Sequence, residues 1–163
     1  MVSESYLYKL EVAAALNQGR KPCEVVFANL PENYERVLSL FEKERNLIIF
    51  NRDLIDQVSE LELVASLIHE GRHAYQWFQI SKPLESCETV EILKEWESDF
   101  TSYKQPLSKK DILPNALQSI EIDAIAYTAI RLELIGEGKL IIPAEIADSV
   151  NRRKADLNLR KIK

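Results

Sequence analysis

The chain has 163 residues, a net charge of −5 and 46% hydrophobic residues, with only four Gly and six Pro. That length and apolar content suit one domain, residues 1–163, with its own core; disorder, repeats and low-complexity segments are not expected. The acidic balance makes nucleic acid an unexpected partner, and no window approaches 18 uncharged apolar residues, so no membrane span is expected.

In chain order, Ser5–Asn17 reads as a first helix, with Gly19 near its C-terminal stop. The acids of the N-terminal stretch, Glu4 and Glu11, break the basic-then-apolar layout of a secretory signal. Glu24–Ala28 is a short strand. Arg36–Phe41 and Leu47–Phe50 are two more, joined through Glu42–Asn46 as a hairpin. From Ser59 a long helix is predicted, with Leu61, Val64, Ala65, Ile68, Ala74, Tyr75 and Phe78 at three- and four-residue spacings. Ser59 and Glu62 fit a capping box, and Pro83 marks the latest end. Glu88–Tyr103 carries Val90, Leu93, Trp96 and Phe100 as a core stripe. Leu107–Asn115 is a polar loop, Asn115–Ile135 a largely apolar helix ended by Gly136 and Gly138, and Pro143–Leu159 a last helix. The fold class is α+β, mostly helical, with a small three-stranded sheet packed on the long helix. The two isolated cysteines, Cys23 and Cys87, read as small core residues and suit a reducing cytoplasm. The basic C-terminal run from Asn151 to Lys163 reads as a solvated helix end whose cations suit the helix dipole.

The chemistry concentrates in His69-Glu70-Gly71-Arg72-His73, an H-E-x-x-H motif that uses both histidines of the chain. On a helix, residues four apart lie about 40° apart around the axis, so both imidazoles point the same way, one turn apart. Two neutral imidazoles supply half of a tetrahedral Zn²⁺ shell. Glu70, beside the first ligand, can lean toward the open side and take a proton from a metal-activated water. Gly71 inside this helix costs about 1 kcal/mol against Ala, which a close approach by another segment would explain.

A catalytic zinc usually takes three protein ligands and a water. With no further His, the third is expected to be a carboxylate. Glu121 and Asp123 are the two acids in the middle of the apolar 115–135 helix, where an acid is costly unless paired or bound to metal. Glu121 is preferred, since Ala124 on its face allows a close helix approach. Asp123, about 200° around the axis, is the alternative ligand or a partner that orients a ligand His. Gln76, one turn after His73, could support a ligand. Arg72 could pair with Asp123 or another acid. Tyr127 and Tyr75 are candidate oxyanion donors.

These residues resemble the gluzincin-type zinc metallopeptidases, in particular the small, single-domain ImmA/IrrE-like group. In that group H-E-x-x-H is followed by a glutamate in an E-x-x-A element, as in Glu121-Ile122-Asp123-Ala124 here, with Tyr127 and Ala129 beyond. The lead-in from Arg36 to Ile55, which reads as strand, turn and a strand ending in Asn, is similar too, and the resemblance covers about Glu35 to Ile135. Family members often carry an apolar residue where Gly71 sits, and the span from His73 to Glu121 holds an extra helix. The resemblance implies a zincin-like domain that hydrolyses a protein or peptide substrate with Zn²⁺ held by His69, His73 and Glu121. The alternative is a zinc-binding but silent or latent regulatory protein of a mobile element or stress pathway. A zinc-free helical partner-binding module is a third reading. Oligomeric state is not written in the sequence.

Overall fold

A computed structural model describes residues 2–136 and 138–160. The fold is α+β, mostly helical, with a three-stranded mixed sheet. The chain divides into two compact units, Met1–Tyr75 and Gln76–Lys163. Among the described residues no helix is long and apolar enough to cross a membrane.

In the first unit, α1 (Glu4–Gln18) is capped by Ser3, whose side chain accepts from the Tyr6 amide, and ends at Gly19 in the left-handed conformation (φ 67°). Strand β1 (Glu24–Ala28) pairs in parallel with β3 (Leu47–Asn51), and β2 (Ser39–Glu42) pairs antiparallel with β3, giving the order β1-β3-β2. The hairpin is therefore present, but β2 begins at Ser39 rather than Arg36. A 3₁₀ turn over Glu32–Tyr34 takes up the preceding residues, and the Val37 amide donates to the Tyr34 carbonyl at 2.9 Å. Asn51 extends β3 by one residue and closes it from inside. Its buried side chain donates to the Val37 carbonyl at 3.2 Å and accepts from the Asp53 amide at 3.1 Å.

Helix α2 (Glu60–Ser81) starts with the expected capping box. The Glu62 amide donates to Ser59 Oγ, and the Ser59 amide donates to Glu62 Oε2 at 2.7 Å. Its face toward the sheet differs from the expected stripe. Leu63, Leu67 and Ala74 join Leu7, Cys23, Val25, Ile48 and Phe50 in one core, while Leu61 is exposed and Val64, Ala65 and Ile68 are half-buried. Apolar residues fill two adjacent stripes of this helix, and only packing selects the one that meets the sheet. Burial pushes the Cys23 thiol up to about 12, with the Glu11 carboxylate adding to it, so the residue packs as a neutral thiol.

Gly71 has a specific explanation. Glu11 and Arg20 form a nearly inaccessible ion pair at 2.6 Å, which the Cys23 amide and the Gln18 side chain also join. A Cβ at position 71 would stand 3.1 Å from Arg20 Nη2 and 3.2 Å from Glu11 Oε2. Alanine would gain about 1 kcal/mol of helix propensity, but it would push on charges locked by several hydrogen bonds, and overpacking costs about 1–3 kcal/mol. Gly71→Ala is therefore expected to lose about 1 kcal/mol in urea unfolding and Gly71→Val about 3 kcal/mol. A gain of stability for Gly71→Ala would show that the ion pair yields freely.

In the second unit, α3 (Val90–Thr101) is capped by Thr89 and buries Leu93 and Trp96, as the stripe predicts, although Val90 is exposed. Residues Asn115–Leu117 do not belong to the long apolar helix. Ile112–Ala116 forms a short α4, Gln118 is extended (ψ 143°), and α5 spans Ser119–Ile135. Pro114 fits a first turn, where an amide is not needed, and the Asp99 carboxylate accepts from the Ile120 amide at 3.2 Å, fixing where α5 starts. Gly136 caps it in the left-handed conformation (φ 72°), as expected. Helix α6 spans Ala144–Leu159.

The basic stretch of α6 is not simply solvated. Arg153, largely buried, donates to Asp123 at 2.7 Å, to Glu88 at 3.0 Å and to Asp156 at 2.5 Å. Lys154 pairs with Glu133 and Arg160 with Glu88. Arg152 is exposed and donates to Ser149 Oγ at 3.3 Å, and Lys161 and Lys163 lie outside the described residues.

Candidate metal centre

The H-E-x-x-H motif lies on α2 well inside its ends, so backbone hydrogen bonding holds the i, i+4 spacing of the histidines. The two rings stand nearly perpendicular (88°), with centroids 4.7 Å apart. Their Nε2 atoms approach to 3.1 Å. Two nitrogens bound to one tetrahedral zinc at about 2.05 Å would be about 3.3 Å apart, so the pair is spaced as ligands of a single ion. His73 is buried and His69 half-buried.

Glu70 lies on the same face of α2 as Leu63, Leu67 and Ala74 and is 7% exposed. Ser39, the first residue of the edge strand β2, donates its hydroxyl to Glu70 Oε1 at 2.9 Å. That contact orients one carboxylate oxygen, and it is invisible to local sequence reading because it links positions 31 residues apart.

Glu121, in the first turn of α5, is 3% exposed. The two histidines belong to the first unit and Glu121 to the second. A buried carboxylate is costly unless paired, hydrogen-bonded or metal-bound. Here the Tyr103 hydroxyl donates to Glu121 Oε1, and Asn115 Nδ2 donates to that hydroxyl at 3.0 Å. Neither Tyr103 nor Asn115 carries a sequence signal, since one follows the C-cap of α3 and the other sits in α4.

Asp123, 1% exposed, accepts from Gln76 Nε2 at 2.7 Å and from Arg153 Nε at 2.7 Å. The Gln76 amide also donates to the Ile120 carbonyl at 2.9 Å, which ties it to the first turn of α5 beside Glu121. Asp123 and Gln76 thus share one buried polar cluster, with Arg153 as a member that sequence reasoning missed. Arg72 is 1% exposed, and its guanidinium lies 4.1 Å from the centre of the Tyr75 ring. Tyr75 and Tyr127 are both buried, at 5% and 4% exposure.

The donor set of two imidazoles and one carboxylate fits Zn²⁺, and so does the spacing of the two nitrogens. No family model matches the chain, and neither a curated protein nor a solved structure gives a significant match.

Proposed function

We propose that the chain is a zinc-dependent metallopeptidase of the gluzincin type, with His69, His73 and Glu121 as ligands and Glu70 as the general base. The observation that carries this reading is the 3.1 Å approach of two imidazole nitrogens on the helix that also carries the buried carboxylate of Glu70. Glu121 supports it as a buried carboxylate, 3% exposed, of the kind a third zinc ligand requires.

Zinc held by this set supplies Lewis acidity, which acidifies a water and polarises a peptide carbonyl. The chain supplies the proton traffic. Glu70 accepts the proton released as the water attacks the carbonyl carbon, and it returns that proton to the leaving amine. Ser39 holds Glu70 Oε1 at 2.9 Å, so the carboxylate meets its proton donor with a fixed orientation. The substrate class this chemistry serves is a protein or peptide.

Two measurements test the reading. Protein prepared without chelator or His-tag is expected to carry about one zinc per chain, and to cleave quenched-fluorescent unstructured peptides in a manner lost on chelation and regained with zinc. No metal uptake even from added zinc would remove the proposal, whereas stoichiometric zinc without hydrolysis would favour the silent regulatory reading. Ser39→Ala is expected to keep the zinc and lower kcat/KM about tenfold, the worth of one hydrogen bond to a charged group. An unchanged kcat/KM would show that Ser39 does not orient the base.

A further inference from the structure

Resting on the zinc reading above, we infer that Tyr103 is a positioning residue that makes Glu121 a one-oxygen ligand. The argument is one of hydrogen-bond polarity. A phenol has one proton to give. Asn115 Nδ2, a donor only, points at the Tyr103 oxygen at 3.0 Å. The oxygen accepts that bond, so its own proton goes to Glu121 Oε1. With Oε1 committed to the phenol, Oε2 would be the oxygen left to hold the ion. A carboxylate held this way keeps the coordination number low and leaves room for water and substrate, as a catalytic site requires.

Tyr103 is itself clamped. It follows the C-cap of α3, Ser102, and the next residue, Lys104, is held on both backbone groups. The Lys104 amide donates to Gln118 Oε1 at 2.8 Å, and its carbonyl accepts from Asn115 Nδ2 at 2.9 Å and from Gln118 Nε2 at 3.2 Å. Gln118 Nε2 also donates to the Asn115 carbonyl at 3.1 Å. Asn115 and Gln118 are 9% and 7% exposed. Two buried amide side chains therefore fasten the segment between α3 and α4 at the one point where its tyrosine reaches the ligand. Outer partners of metal ligands act in this manner, and their loss costs about 10–100-fold in metal affinity.

The test compares wild type, Tyr103→Phe and Asn115→Ala by zinc affinity, measured by competition with a chromophoric chelator, and by the visible spectrum after Co²⁺ substitution. Metal-free unfolding midpoints provide the folding control. Tyr103→Phe is expected to weaken zinc binding about tenfold or more. It should also lower the intensity of the Co²⁺ bands, as a second carboxylate oxygen enters the shell and raises the coordination number. Asn115→Ala should shift both in the same direction by less, because the phenol then has a choice of proton direction. Wild-type affinity and an unchanged Co²⁺ spectrum in a folded Tyr103→Phe protein would overturn the inference alone. Failure of the wild type to bind either metal would overturn the zinc reading, and this inference with it.

Discussion

Glu70→Gln is expected to reduce peptide hydrolysis about 10²–10⁴-fold, the usual contribution of a positioned general base, while leaving zinc stoichiometry at the wild-type value. Glutamine keeps the shape of the side chain and can still accept from Ser39, which lies 2.9 Å from Oε1 in the wild type. It cannot take a proton from water at neutral pH. The fall should appear in kcat with KM nearly unchanged, since Glu70 acts on the proton in flight rather than on bound substrate. A Glu70→Gln protein as active as wild type would remove Glu70 from the chemistry. If the variant instead lost its zinc, the role of this carboxylate would be to support the ligands.

The second large effect concerns the metal. His73→Ala is expected to weaken zinc binding by more than the roughly 100-fold that follows loss of an outer partner, because a ligand itself is removed. It should also abolish the stabilisation that zinc gives. A ligand at 100 times its Kd raises the unfolding free energy by about 2.7 kcal/mol, so wild type should unfold later when zinc is added and His73→Ala should not respond. Because His73 is buried at 5% exposure, the alanine also opens a small cavity. The comparison must therefore be the zinc-dependent shift within each protein, not the absolute midpoints. An equal zinc-induced shift in both proteins would mean that the histidine pair does not hold the ion.

The elements most legible in the sequence are those with local causes. Ser59 and Glu62 announce the start of α2 because both halves of the capping box lie within three residues. Gly136 marks the end of α5 because only a residue that tolerates positive φ turns the chain there. The alternation of strands and turns between Glu24 and Asn51 reveals a sheet of three strands, and its hairpin follows from proximity in the chain. Less legible are boundaries set by neighbours. The run from Asn115 to Ile135 looks continuous, yet the Asp99 carboxylate on the Ile120 amide and the extended Gln118 split it. The same limit applies to helix faces: Leu63 and Leu67, not Leu61 and Ile68, meet the sheet.

By itself, then, the sequence determined that His69 and His73 lie one turn apart on one face of a helix with Glu70 between them, because helical geometry follows from backbone hydrogen bonds and needs no partner. Only the tertiary structure decided what surrounds them. The Glu11–Arg20 pair lies against Gly71, Ser39 meets Glu70, Tyr103 reaches Glu121, and Arg153 takes Asp123. Each of these contacts joins positions from 18 to 60 residues apart. Their side chains carry no pattern of spacing, and burial alone makes them matter: a charge or hydroxyl removed from water must find its partner inside the protein.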